Sequence, residues 1–191
     1  MKRLIWLSLL LVGLTLLPTA PVQAISIGFS PLNQTIGAGG MGTVDIVVSN
    51  RGGTEIGAFG FDVLFDPAII SLTGITFGLQ LGDPVLEALS GSVVGAGMAS
   101  LTETSFLTVA ELQALQMSDS FVLATLNFNA IGVGVSALSF ANTDFVDGSA
   151  NNLSVEAQIG SVAAVPEPST MVLLGSALIG VAVRRRAIRG R

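Results

Sequence analysis

The middle of the chain alternates apolar and polar residues with a period of two over several short segments. The clearest segments are residues 43–49, 58–65 and 122–130. The residues that share a face are Val44, Ile46 and Val48 in the first segment, Phe59, Phe61, Val63 and Phe65 in the second, and Val122, Ala124, Leu126, Phe128 and Ala130 in the third. Successive side chains of a strand point to opposite faces, so each segment predicts a strand with one buried and one solvated side.

Turn-forming residues separate these segments. They lie at residues 50–53 (Asn-Arg-Gly-Gly), 66–67 (Asp-Pro), 82–84 (Gly-Asp-Pro), 132–134 (Gly-Val-Gly) and 147–148 (Asp-Gly). Short strands at this spacing, with no repeated long helical pattern, predict an all-β fold, namely an antiparallel jelly-roll β-sandwich. One short helix is predicted after Thr108, where Glu111 completes a capping box and Leu112 and Leu115 would face inward.

The first 24 residues have the layout of a secretory signal peptide. Lys2 and Arg3 precede an apolar run, Pro18 follows it, and Val22 and Ala24 place small residues at the third and first positions before a cleavage point. This order predicts cleavage after Ala24 and export of a domain that spans residues 25–165. The alternative is an uncleaved N-terminal anchor, which Pro18 and the small residues disfavour.

The C-terminal residues 166–191 form a second non-globular segment. An apolar run at residues 171–183 predicts a short transmembrane helix of about 20 Å, against a hydrocarbon core of about 30 Å. Arginines at 184–186 follow it and would stay on the cytoplasmic side of the inner membrane. Both ends of the chain therefore predict that residues 25–165 lie on the opposite side of that membrane.

The tail resembles a known sorting signal. Pro166, Glu167 and Pro168 precede the apolar run, and Arg184, Arg185 and Arg186 follow it. This order is similar to the PEP-CTERM signal of Gram-negative bacteria. The resemblance implies recognition and cleavage near Pro-Glu-Pro by an exosortase, delivery to the cell surface or extracellular matrix, and an association with exopolysaccharide. A plain C-terminal anchor is the alternative; a Gram-positive sortase substrate is disfavoured because Leu-Pro-x-Thr-Gly is absent.

The composition of the exported part excludes several kinds of chemistry. The chain has no Cys, His or Tyr, and its single Lys and single Trp, Lys2 and Trp6, lie in the predicted leader. Disulfides, thiolate nucleophiles and histidine bases are thereby excluded, which predicts that the protein is not an enzyme. Residues 25–165 hold twelve Asp and Glu but one cation, Arg51. Such a surface repels phosphate backbones, so nucleic-acid binding is not expected.

Three polar or glycine-rich groups are candidate sites. The glycine-rich residues 37–42 lead into a strand and have no lysine, so a turn is predicted rather than a phosphate-binding loop. Asp62 and Asp66 could pair as glycosidase carboxylates, but without Trp or Tyr platforms a polar outer face is favoured. The oxygen ligands in residues 144–152 are a candidate calcium site, with a solvated Asp-Gly turn as the alternative. The candidate calcium ligands are Asp144, Asp147, Asn151 and Asn152.

The domain itself resembles a cohesin. The resemblance rests on residues 42–50 and 56–70, then on 121–130, 134–140, 144–148 and 160–162, in that order. It implies a nine-stranded jelly-roll sandwich, akin to carbohydrate-binding modules, that binds a separate dockerin-like domain through one sheet face. Two functions follow as hypotheses: a protein-interaction module, or a polysaccharide-binding or matrix-structuring module. An exposed apolar patch would favour the first, and a polar groove would favour the second.

Overall fold

The computed structural model describes residues 24–166 together with Gly175, Ser176, Leu178 and Ile179 of the tail. Residues 24–166 form eleven strands and one helix. The strands are β1 (Ile25–Ser30), β2 (Asn33–Gly37), β3 (Met41–Ser49), β4 (Ala58–Leu64), β5 (Ile70–Phe77), β6 (Ala88–Gly95), β7 (Met98–Ser105), β8 (Phe121–Ala130), β9 (Gly134–Val146), β10 (Val155–Ala157) and β11 (Gly160–Val165). The helix α1 (Val109–Leu115) lies between β7 and β8.

The strands form two sheets that pack face to face. The first sheet has five strands in the order β10-β1-β3-β8-β5, and the second has six in the order β2-β11-β9-β4-β7-β6. The prediction of an all-β sandwich is therefore confirmed. The predicted strands begin and end close to the predicted turns, where Asn50, Gly52 and Gly53 adopt the left-handed backbone that a sharp reversal needs.

The strand directions depart from a purely antiparallel sandwich at two places. β1 pairs in parallel with β10, and β2 pairs in parallel with β11, whereas the other pairings among the described strands are antiparallel. The reason is that the chain passes from the five-stranded to the six-stranded sheet twice, from β1 to β2 and from β10 to β11. These two segments lie side by side and run in the same direction. Local sequence patterns do not report such non-local pairing.

The core fills the space between the sheets and confirms most of the predicted faces. Val44, Ile46 and Val48 have no exposed surface. Phenylalanine rings from both sheets meet there, for example Phe29 and Phe140, whose ring centroids lie 4.4 Å apart. Burial of large apolar side chains contributes about 1.5–3 kcal/mol each, so this core supports the fold without disulfides.

Two predicted orientations are wrong. Val122 is not among the buried residues, because β8 has a β-bulge at Leu123, opposite the step from Ile46 to Val47 of β3, and both Leu123 and Ala124 are buried. In α1 the predicted capping box forms and Leu112 is buried, but Leu115 is 45% exposed at the last helical position. Of the glycine-rich residues 37–42, residues 38–40 form the predicted turn between β2 and β3, and the others lie in these two strands.

The ends of the chain lie mostly outside the described residues. The predicted signal peptide lies outside them except for Ala24, which directly precedes β1. Of the tail, Gly175, Ser176, Leu178 and Ile179 are helical. Among the described residues, no helix has the length and apolar character needed to cross a membrane.

Candidate functional site

The solvent side of the strands β6, β7, β4 and β9 forms a broad face, which we call the outer face. Its residues lie in cross-strand rows, because the β6–β7 and β7–β4 registers have no shift and the β4–β9 register has one, between Gly60 and Asp62. The rows are Leu89–Thr104–Ala58–Val146, Gly91–Thr102–Gly60–Asp144, Val93–Ser100–Asp62–Ala141 and Gly95–Met98–Leu64–Ser139. The alternate residues of the same strands, such as Phe61 and Leu101, point into the core.

Small side chains make the middle of the outer face flat. Gly60 and Gly91 flank Thr102, and the depression over Gly60 is lined by Thr102, Thr104 and Asp144 together with neighbouring β4 and β9 residues. A Cβ atom built on Gly60 would lie 3.6 Å from the nearest heavy atom, Thr102 Cγ2, which is ordinary van der Waals contact. A side chain at position 60 would therefore fit without a clash. Because glycine has none, there is open space on the surface at this point.

Asp62 is held rigidly at the centre of the outer face. The Ser100 hydroxyl donates to Asp62 Oδ1, and Asn142 Nδ2 donates to Asp62 Oδ2 at 2.6 Å. Asn142 reaches Asp62 because β9 bulges opposite Phe61, with Asn142 in the left-handed backbone region. The hydrogen bond from Ser100, followed by that from Asn142, lowers the pKa of Asp62, so the carboxylate is ionised at neutral pH.

Exposed apolar side chains border this polar centre. Leu89 is 67% exposed and Val93 is 70% exposed on β6, while Met98 and Leu64 lie at the opposite end of the face. Phe106 extends the β6–β7 pairing by one residue, since its N–H donates to Glu87 O at 2.7 Å, and its side chain is exposed. A cluster of exposed apolar groups on one sheet is typical of a surface that binds another protein.

The face is acidic, and the nearest cation is buried elsewhere. Arg51, the only basic residue of 25–165, lies in the loop between β3 and β4 with 4% exposure. Its guanidinium donates to Thr54 O at 2.6 Å, to Gln116 O at 2.6 Å and to Ser118 O, and it lies 4.8 Å from the Phe121 ring centroid. Burial lowers the pKa of Arg51, and Asp119 and Glu55 act against that shift.

One buried acid, which sequence analysis missed, lies directly beneath the outer face. Glu103 points inward from β7 with 1% exposure, and Ser90 Oγ donates to its Oε1 at 2.9 Å. Burial raises the pKa of Glu103 to about 7, against the opposing effect of the Ser90 hydrogen bond. The alternation of β7 would have placed Glu103 with Leu101 on the inner side, but β7 was not assigned from the sequence.

The candidate calcium ligands are close in sequence but not gathered around one point. Asp144 lies on the outer face, next to Gly60. Asp147 Oδ1 accepts the N–H groups of Ser149 and Asn151, each at 2.8 Å, and Asn151 Nδ2 donates to Asp147 Oδ2. These hydrogen bonds account for the loop as an Asp-Gly turn, and Asn152 forms a bridge to Val146. Calcium binding stays a prediction.

The two candidate glycosidase carboxylates, Asp62 and Asp66, lie in different structural elements. Asp62 lies on β4, whereas Asp66 is beyond the end of that strand and its Oδ1 accepts the N–H of Ala68 in a turn. Among residues 24–166, no group of three or more acidic residues is placed to hold a metal ion. Of the sorting residues, Pro166 follows β11 directly, while Glu167, Pro168 and Arg184–Arg186 lie outside the described residues.

Comparison with known proteins supports both resemblances. Residues 164–186 match the PEP-CTERM protein-sorting motif. The structure is similar to a cohesin in a type I cohesin–dockerin complex from Clostridium thermocellum, with 14% identity, 78% of this chain and 99% of that chain covered, and a TM-score of 0.63. No curated protein sequence matches the chain.

Two further cohesins extend the likeness. A type I cohesin from Pseudobacteroides cellulosolvens has 17% identity, 76% and 94% coverage and a TM-score of 0.61. A non-cellulosomal cohesin from the archaeon Archaeoglobus fulgidus has 12% identity, 78% and 95% coverage and a TM-score of 0.56. The chain therefore carries a PEP-CTERM sorting motif after a domain with a cohesin-like fold.

Proposed function

We propose that the protein is exported, processed by an exosortase and displayed at the cell surface or in the extracellular matrix, where its cohesin-like domain is a non-catalytic protein-interaction module. The leader and the sorting motif support export and transient anchoring in the inner membrane. The cohesin-like fold supports a partner of the dockerin-like kind, carried on a separate protein. The domains would then be residues 1–24, 25–165 and 166–191, with only the middle one retained.

The outer face is the observation that supports this function. Its flat centre admits another protein surface, its apolar border can be buried, and the ionised Asp62 offers a fixed acceptor to donors of the partner. The buried Arg51 leaves the domain without an exposed cation in residues 24–166. We therefore expect the partner to present Lys, Arg or other donors toward the outer face.

The structure favours a protein partner over a polysaccharide. Sugar rings stack on Trp and Tyr, and residues 25–165 contain neither. The large exposed groups at the border of the outer face are mainly aliphatic, with Phe106 at one corner. Aliphatic groups bury well against protein side chains, whereas sugar recognition on this face would depend on hydrogen bonds alone.

A pair of glycine variants tests the binding face. The full-length chain is tagged and cross-linked in its own cell, the captured protein is identified, and its purified binding domain is titrated against each variant. Gly60→Arg fills the outer face, and Gly74→Arg adds the same side chain to β5 of the other sheet, where a Cβ would lie 3.8 Å from Asn127 Nδ2. We expect Gly60→Arg to weaken binding by about tenfold or more and Gly74→Arg to leave it unchanged.

Equal affinities for the two glycine variants would reject the outer face as the binding surface. Retention of protein-free exopolysaccharide by the wild type, lost in Gly60→Arg, would assign the face to a glycan instead. Export is tested separately by mass spectrometry of the mature chain, which we expect to begin at Ile25 and to lack the arginine cluster. Replacing residues 166–168 by alanine should leave the tail attached and so increase the mass of the mature chain. If this variant loses the tail as the wild type does, exosortase processing at this motif is rejected.

A further inference from the structure

The strand β6 forms one edge of the six-stranded sheet and presents unpaired backbone groups. The bond from Phe106 N to Glu87 O fixes the phase of the antiparallel β6–β7 ladder, in which paired residues exchange both hydrogen bonds. Odd-numbered residues of β6 therefore face β7, and even-numbered residues face the open edge. The Ala88 N–H is taken by Asp83 O at 2.9 Å. The N–H and C=O groups of Ser90, Ser92 and Val94 point to the open edge.

The other three sheet edges carry features that discourage strand addition. The edge strand β5 has a bulge between Leu72 and Gly74. The edge strand β10 has three residues, one of them Glu156, and the edge strand β2 has five. Bulges, short length and charges are the usual protections of exposed edges. By contrast, β6 has eight residues, a register without a bulge, and no charged residue or proline.

We propose that β6 pairs with β6 of a second copy of this chain, antiparallel about a two-fold axis at Ser92. This register aligns the three free residues of each copy: Ser92 faces the second copy's Ser92, and Ser90 faces the second copy's Val94. On the outer side, Val93 then lies over the second copy's Gly91, and Leu89 lies over the second copy's Gly95. Every such pair sets a large apolar side chain against a glycine backbone, so Leu89 and Val93 of both copies fit beside each other without a clash and keep surface exposed on the outer face.

The charge distribution limits where a second copy can bind. Residues 25–165 contain twelve acidic residues and one arginine, which is buried, so two copies repel each other over most of their surfaces. The strand β6 carries no charge, so pairing at β6 sets no carboxylate of one copy directly opposite a carboxylate of the other. The axis is perpendicular to the sheet, so the two outer faces would point the same way and form one continuous surface. This inference does not depend on what binds the outer face.

The absence of cysteine from the chain allows a direct test. In an antiparallel hydrogen-bonded pair the Cα atoms are about 5.5 Å apart, which is within the range that a disulfide bridges. The full-length Ser92→Cys variant is purified in detergent and treated with a mild oxidant. We expect most of it to run as a covalent dimer on a non-reducing gel. The matched control Thr35→Cys, exposed on the edge strand β2, should remain mainly monomeric.

A second substitution separates strand pairing from random collision. Val94→Pro removes an N–H that faces the open edge and leaves the β6–β7 ladder intact, so in the Ser92→Cys background it should prevent the dimer. Val94→Lys repeats the test without changing the backbone. The wild type should sediment at twice the chain mass and Val94→Lys at the chain mass. Equal cross-linking of Ser92→Cys and Thr35→Cys, cross-linking unaffected by either change at 94, or a cross-link to a different protein would overturn the proposal.

Discussion

The two outward surfaces of the sandwich differ although their strands follow the same alternation. The strands of the six-stranded sheet carry large exposed apolar residues, among them Leu64, Leu89 and Val93, whereas on the strands of the five-stranded sheet such exposure is found at Met41. The five-stranded sheet instead presents hydroxyl and amide groups that bond to one another, as where Thr125 Oγ1 donates to Asp45 Oδ1 at 2.7 Å. A periodic pattern therefore marks which side of a strand is buried, but not which solvent side is suited to a partner.

Each surface carries one carboxylate held by a hydroxyl of a neighbouring strand. On the five-stranded sheet it is Asp45 with Thr125, and on the outer face it is Asp62 with Ser100 and Asn142. The carboxylates are similar in chemistry and differ in surroundings, because only Asp62 is bordered by exposed apolar side chains. The pair is thus an internal control for any role assigned to the outer face.

The largest effect is expected at the loop that carries the chain from one sheet to the other. Arg51 connects this loop to the segment after α1 through Thr54 O, Gln116 O and Ser118 O. Arg51→Met leaves these carbonyls without their donor, so the free energy of unfolding should fall by about 3 kcal/mol. This change is measured by urea unfolding of the exported wild-type and variant chains.

Arg51→Lys is the control for charge. Lysine keeps the positive charge but lacks the planar fork that reaches several carbonyls at once, so most of the loss should persist. A change below about 0.5 kcal/mol in Arg51→Met would mean that the loop is held by its turn residues alone. In that case the two surfaces would be positioned independently of this network.

The strands of the fold could be predicted from the sequence, but the burial of Arg51 could not. The alternation of Val44 to Val48 and of Phe59 to Val63 was sufficient to predict the strands, because burial on one side imposes it. The sequence identifies Arg51 as the only cation of residues 25–165 and predicts a turn at residues 50–53. The burial of Arg51 depends on the carbonyl groups of Gln116 and Ser118, about 65 residues away in sequence. Local patterns contain no information on such contacts.

The next largest effect is expected in the pH dependence of stability, and it comes from a carboxyl on the inner side of the six-stranded sheet. Glu103 is buried under the six-stranded sheet, and burial raises its pKa from 4.5 to about 7. Between these values the unfolded chain releases the proton that the folded chain keeps, so stability falls as pH rises from about 4.5 to about 7 and is constant above. The contribution is no more than a few kcal/mol, since one pKa unit corresponds to about 1.4 kcal/mol and solvent screening lowers the effect.

Glu103→Gln isolates this contribution. Glutamine keeps the size and can still accept a hydrogen bond from Ser90, but it does not titrate. The difference in free energy of unfolding between Glu103→Gln and the wild type should therefore grow between pH 4.5 and pH 7, in favour of the variant. Parallel pH profiles for the two proteins would show that the carboxyl of Glu103 titrates as it does in the unfolded chain.

The outer face could be predicted only in part from the sequence. The resemblance to cohesins predicted that one sheet face binds a partner, and Asp62 was assigned to a polar outer side. The residues that complete its surroundings, Ser100 and Asn142, lie 38 and 80 positions away. The bulge that brings Asn142 to Asp62 has no local sequence signature beyond an Asn that tolerates the left-handed region.

The smallest effects on stability are expected at Asp62 and Asp45, and they allow a direct comparison of the two surfaces. Asp62→Ala and Asp45→Ala each remove one carboxylate that accepts from a neighbouring hydroxyl, so each should lower the free energy of unfolding only slightly. Only Asp62→Ala removes an acceptor from the proposed binding surface. Affinity for the partner domain identified by cross-linking should fall about tenfold in Asp62→Ala and should not change in Asp45→Ala. If both variants lose affinity in proportion to their stability, the loss is an effect of folding; if Asp45→Ala alone loses it, the partner binds the five-stranded sheet and the assignment of the two surfaces is reversed.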